Sequence, residues 1–161
     1  MPPSRIIRNK AAPAGIAVSP QPLTPAAFRR YGRIIAMDDR PADAQGNFWR
    51  VIVRERRPVG WRIAYLIVSQ KSIEYLEQHP DSWESFEPVA GRAVLYVGTG
   101  NKPRRLRCFV LDKPVVLRRG VWHGLIALSS RAQIKITENN HVGMRRFRLP
   151  AALAGMVARQ G

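Results

Sequence analysis

Apolar residues along this chain gather in short runs and do not recur at helical spacing. Residues 48–54 (FWRVIVR), 61–69 (WRIAYLIVS), 93–98 (AVLYVG), 106–111 (LRCFVL), 114–118 (PVVLR), 124–129 (GLIALS) and 132–137 (AQIKIT) are rich in β-branched and aromatic side chains. Such side chains suit a pleated, half-buried surface. Residues 145–149 are a further candidate strand. Gly, Pro and Asn stand at the junctions, and many short strands at short intervals predict an all-β sandwich or barrel. Pro58-Val59-Gly60 is expected to turn the chain between the first two runs and make them a hairpin, with Trp49, Trp61 and Tyr65 in the core.

Helix is expected only near the ends. Thr24 is a suitable N-cap and Pro25 suits the first helical position, so a short helix runs through Ala26-Ala27-Phe28 to the break at Tyr31-Gly32. Residues 151–159 (AALAGMVAR) predict a C-terminal helix docking by its apolar side. Residues 1–20 carry four prolines, no acidic residue and no sustained period, which disfavours regular structure and marks an arm. Residues 21–161 are then expected to be a single domain, a size that supports one hydrophobic core.

Charge alters the picture of partners. Lysine and arginine number 27 against 11 acids, a net charge of +16. A field of that sign attracts nucleic acid and other polyanions as well as small carboxylates or phosphates. The arginines are scattered in pairs (Arg29-Arg30, Arg56-Arg57, Arg104-Arg105, Arg118-Arg119, Arg145-Arg146) and form no long block. The lone Cys108 reads as a buried thiol and excludes an internal disulfide. No run approaches the length of a membrane span and there is no apolar signal-peptide core, so the expected location is cytoplasmic, with no membrane partner. GxxxxGK[ST], GxSxG, HExxH and paired CxxC motifs are all missing, which leaves nucleotide hydrolysis, serine hydrolysis, zincin chemistry and structural zinc without support.

The chemistry concentrates in two stretches. In EQHPDSWESFEPVAG, residues 77–91, His79 is followed by Glu84 and then by Gly91; in RRGVWHGL, residues 118–125, Gly120 precedes His123. Their order and spacing resemble the two motifs of the cupin superfamily, in which histidine and glutamate turn into a small barrel and glycines make the turns. The position of the first motif's usual leading histidine is Glu77, where a carboxylate is either a further ligand for a hard metal or a surface charge. LTPAAFRRYGRII, EQHPDSWESFEPVAG and GVWHGLIAL together resemble the ureidoglycolate lyase family over about residues 23–128. The sequence departs from the family at Val116-Leu117-Arg118, where polar residues are usual, and at Gly124 and Glu84.

The resemblance implies a small cupin-like β-barrel or jelly roll, commonly a homodimer, cleaving a small anionic ureido/α-hydroxy acid to glyoxylate and urea. It implies His123, Glu84 and His79 as catalytic residues, with Arg119 or another inward arginine holding the substrate carboxylate and Trp122 beside it. The same His79, Glu84 and His123 would be the ligands of a divalent metal. Trp122 reads equally as core packing, and His141, in the turn Asn139-Asn140-His141-Val142-Gly143, as a loop residue. The competing expectation is a non-catalytic basic barrel that binds nucleic acid or another polyanion, or serves as a subunit of a larger assembly.

Overall fold

The computed structural model describes residues 18–39, 41–103 and 105–154. The expected arm up to residue 17 and the last part of the expected C-terminal helix, 155–159, lie outside the described residues. Chain order begins with β1 (Pro20–Gln21), α1 (Pro25–Phe28), β2 (Gly32–Ile34), β3 (Trp61–Val68), β4 (Ser72–Gln78) and β5 (Glu84–Ala90). It continues with β6 (Ala93–Gly98), β7 (Arg107–Val110), β8 (Val115–Leu117), β9 (Trp122–Ala127), β10 (Ala132–Asn139) and β11 (Arg145–Ala154). Among the described residues no helix is long and apolar enough to cross a membrane.

Two sheets face each other, in the strand orders β1-β7-β6-β9-β4-β11 and β2-β8-β5-β10-β3. Every pairing is antiparallel except β1 with β7. Leu95, Val97 and Leu125 from one sheet meet Phe86, Leu117 and Ile134 from the other in the main core. Val94, Tyr96, Trp122 and Ile126 point to the opposite face of the first sheet, where Leu149 and Leu153 of β11 cover them. A strand buried on both faces must be apolar at every position, so AVLYVG reads as an unbroken run. Cys108 is buried in this second cluster.

The N-terminal helix forms as its sequence suggests. Thr24 Oγ1 accepts a hydrogen bond from the Ala27 amide at 3.3 Å, Pro25 occupies the first turn, and Phe28 is buried. Its ring meets Phe109 edge-on at 5.3 Å between centroids, which seats the helix at one end of the barrel. Gly91 turns the chain from β5 into β6 with φ of 72°, a conformation that disfavours any Cβ. A Cβ there would also overlap the Arg131 carbonyl oxygen. Gly91→Ala is expected to lower stability by about 2 kcal/mol; a urea-unfolding midpoint equal to wild type would contradict this.

Three expectations are corrected. Residues 48–54 form no strand; the segment crosses the surface, held where Arg33 donates to the Ile52 carbonyl at 2.7 Å and Arg50 to that of Ala36 at 3.0 Å. β3 instead pairs along its whole length with β10, from Val68 opposite Ala132 to Trp61 opposite Asn139. β10 presents a matching eight-residue alternation, whereas 48–54 is followed by Arg56-Arg57-Pro58, which does not make a tight hairpin turn. Trp49, Trp61 and Tyr65 are accordingly not core: they are 75%, 70% and 56% exposed. The third correction concerns residues 151–154, which continue β11 as strand. Burial of Leu149 and Leu153 against the outer face of the first sheet overrides the helical preference of this alanine-rich stretch.

Candidate functional site

The polar centre lies where three strands bring their ends together. His79 immediately follows β4, Glu84 opens β5, and His123 is the second residue of β9. Glu77 of β4 pairs with His123 of β9, so the two motifs are neighbours in one sheet. Gly120, with φ of 74°, donates its amide to the His79 carbonyl at 2.9 Å, and Gln78 Nε2 donates to the Gly120 carbonyl at 2.8 Å. The loop between His79 and Glu84 is held from the other sheet: Ser82 Oγ accepts from the Asn139 amide at 2.9 Å, and Asn139 Nδ2 donates to the Asp81 carbonyl at 3.1 Å.

All three side chains are buried and point at one place. Their ligand-capable atoms lie within 4.8 Å of one another. Glu84 Oε2 is 3.1 Å from His123 Nε2 and 3.6 Å from His79 Nε2. Nδ1 of His79 lies 3.1 Å from the Gly143 carbonyl oxygen, and Nδ1 of His123 lies 3.1 Å from that of Val121. A carbonyl oxygen only accepts, so each ring donates from Nδ1 and turns Nε2 toward Glu84.

The electrostatics follow from this burial. Burial foremost, together with the nearby His79, holds the His123 imidazolium down at about 4, against a smaller upward pull from the Val121 carbonyl. His123 is therefore neutral at pH 7. Burial pushes the Glu84 carboxyl up to about 8; Glu138 and Glu77 add to the rise and Arg62 partly offsets it. Glu84 Oε2 is a buried oxygen with no hydrogen-bond donor among the described residues. Once Glu84 gives up its proton, the inward Nε2 atoms and the carboxylate match what a divalent cation requires, since imidazole plus carboxylate suits a first-row ion.

The cluster sits at the floor of a cavity of about 650 Å³ that opens between β3 and β11. Two cross-strand rows lead down to it. In one sheet Arg62 lies opposite Glu138, and Glu138 opposite Glu84; in the other Arg146 lies opposite Glu77, and Glu77 opposite His123. Arg62 donates Nε to Glu138 Oε1 at 2.9 Å with Nη2 at 2.8 Å, and Arg146 donates Nε to Glu77 Oε1 at 3.1 Å with Nη2 at 2.9 Å.

His79, Glu84 and His123 are thus brought together; Glu77 lines the same cavity but is paired with Arg146 and lies outside the cluster, while Arg119 and Trp122 lie elsewhere. Arg119 is outside the cavity lining, paired with Glu55 and placed over the Trp83 ring at 5.7 Å. Trp122 faces the outer cluster, where Nε1 donates to the Gly100 carbonyl at 2.8 Å and the ring packs on Phe147. His141 is an exposed loop residue. Arg62, Arg146 and Glu138 were not singled out. The signal for Glu138 was the alternation Ile134, Ile136, Glu138, which sets a charge on the inward phase of a strand.

A small two-sheet barrel with a buried His-Glu-His cluster under an open cavity is a cupin-like architecture. The chain belongs to the ureidoglycolate lyase family: residues 16–145 match the family model described as Ureidoglycolate lyase. A ureidoglycolate lyase of Rhizobium leguminosarum bv. trifolii is 29% identical over 146 residues, covering 76% of this chain and 84% of that protein, and one of Rhizobium etli gives the same figures. Among solved structures, Bacillus subtilis oxalate decarboxylase is similar over 56% of this chain and 24% of its own, at 13% identity and a TM-score of 0.42. RmlC from Streptococcus suis is similar over 51% and 45%, at 15% identity and the same TM-score.

Proposed function

We propose that this protein is a carbon–nitrogen lyase that cleaves ureidoglycolate to glyoxylate and urea. The reading rests on family membership, and the observation that carries it is the convergence of His79, Glu84 and His123 at the floor of the cavity. In this elimination the hydroxyl O–H bond breaks and a C=O bond forms. The C–N bond breaks with its electron pair going to the ureido nitrogen, which gains a proton. One proton moves from oxygen to nitrogen, and no oxidant or water is consumed.

That transfer needs a group able to take a proton beside one able to give it. His123 is neutral with its Nε2 lone pair inward, and Glu84 holds its proton up to about pH 8. The environments have pushed the two values past each other, so the imidazole is the base and the carboxyl the acid. The bond from His79 Nδ1 to Gly143 keeps that ring aimed at the same point. That acid–base pair describes the metal-free site; a divalent cation held by His79, Glu84 and His123 would occupy their lone pairs in place of the Glu84 proton and would itself supply the positive charge that stabilises the oxygen losing its proton.

Incubation of the purified protein with ureidoglycolate should release glyoxylate and urea in equal amounts. Failure to release either, across a panel of added divalent ions, would remove this function.

A further inference from the structure

Of the lysines and arginines among the described residues, the cavity lining includes only Arg62 and Arg146. They come from the edge strands β3 and β11, one from each sheet, and so face the entrance from opposite sides. Each occupies the outermost place in a row that ends at the cluster: Arg62, Glu138, Glu84 on one side and Arg146, Glu77, His123 on the other. Each presents Nε and Nη2 to a single carboxylate oxygen. That leaves the Nη1 end of both guanidiniums without a protein partner among the described residues.

The remaining charge of the cavity makes these two groups decisive. Glu74, Glu77 and Glu138 line it as well as Glu84, so an anion entering a space lined by four carboxyl groups is repelled unless a guanidinium takes it up. Glu138 is nearly buried, with its side chain 7% exposed against 51% for Arg62. The acid is the fixed anchor and the arginine head is the exposed end. Guanidinium presents paired donors in a plane that matches a carboxylate.

We propose that Arg62 and Arg146 are the receptor for the substrate's carboxylate, restricting the cavity to small monoanionic acids, with Glu138 and Glu77 positioning them. The inference deepens the lyase reading and rests on it. The carboxylate carbon is bonded directly to the carbinol carbon, so a guanidinium that takes the carboxylate also fixes the carbinol beside the cluster. Arg119 has no part in this.

The test uses ureidoacetate, which lacks the hydroxyl and cannot eliminate, and its neutral amide, both titrated calorimetrically into the full chain. Wild type should bind the acid at least about tenfold more tightly than the amide, and Arg62→Gln and Arg146→Gln should each weaken acid binding by about tenfold while leaving the amide unchanged. Arg107→Gln, outside the cavity, should change neither. Glyoxylate release from ureidoglycolate is measured on the same preparations, with the loss in the two variants expected in KM. If wild type releases no glyoxylate but its preference for the acid depends on both arginines, the lyase reading falls and the carboxylate receptor stands. If glyoxylate is released and the preference survives in both variants, the receptor is overturned and the lyase reading stands. Wild type that binds the two probes equally, or binds neither, also overturns the receptor.

Discussion

Replacing His123 or Glu84 by alanine is expected to slow glyoxylate release by about 10²- to 10⁴-fold, the range associated with losing a positioned acid or base. The two effects should not add, because the residues handle one proton between them and share one contact, 3.1 Å from Nε2 to Oε2. Stability should move the other way for Glu84. Its carboxyl is buried with an oxygen that has no donor among the described residues, so metal-free Glu84→Gln should be at least as resistant to thermal unfolding as wild type. Loss of turnover with retained or raised melting temperature marks a functional residue; Glu84→Ala turning over within about threefold of wild type would sink the assignment.

The second large effect is a pH dependence of stability that a divalent ion reverses. In the metal-free protein the Glu84 carboxyl titrates at about 8 when folded and near 4.5 when unfolded. Its contribution is fully present below pH 4.5 and is lost as pH rises through 8, because the folded state keeps a proton that the unfolded state has released. His123 acts in the opposite sense, at about 4 when folded and 6.5 when unfolded, so its contribution is present above pH 6.5 and is lost as pH falls through 4. Between 4.5 and 6.5 the two slopes oppose each other. Above 6.5 only the Glu84 slope remains, and the metal-free protein should lose about 2 kcal/mol between pH 6.5 and 8.

Thermal unfolding of chelator-treated protein at several pH values measures this, and Glu84→Gln should flatten the slope above 6.5. Adding Mn²⁺ or Zn²⁺ should restore stability, by about 2.7 kcal/mol at one hundred times the dissociation constant. Binding should tighten as pH rises, since the ion displaces the Glu84 proton. A melting temperature indifferent to added ion in wild type, or shifted equally in His79→Ala, would count against the cluster as a cation site.

Legibility in the sequence was uneven for physical reasons. β6 through β10 announced themselves because both faces of β6 and β9 are buried and both demand apolar residues. β4 (SIEYLEQ) and β5 (ESFEPVA) did not. They carry glutamate and glutamine, residues depleted in strands, and several of those polar side chains are what line the site. The error at 48–54 ran in the opposite direction: strong local preference for strand with no partner edge to receive it. Trp61 and Tyr65 failed as core residues because β3 is an edge strand whose outward face is not covered by any described element.

Short-range stereochemistry and motif order were enough, in the sequence alone, for the all-β class, the Thr24-Pro25 helix start, the turn at Gly91 and the set His79, Glu84 and His123. Only the tertiary structure decided that β3 pairs with β10, that residues 151–154 extend β11, that Trp122 faces away from the cavity, and that Arg62 and Arg146, and not Arg119, line it. The division follows sequence distance. A cap, a turn or a two-residue alternation is set by neighbours along the chain, whereas pairing Arg62 with Glu138, or Arg146 with Glu77, depends on a register chosen by the packing of the whole barrel.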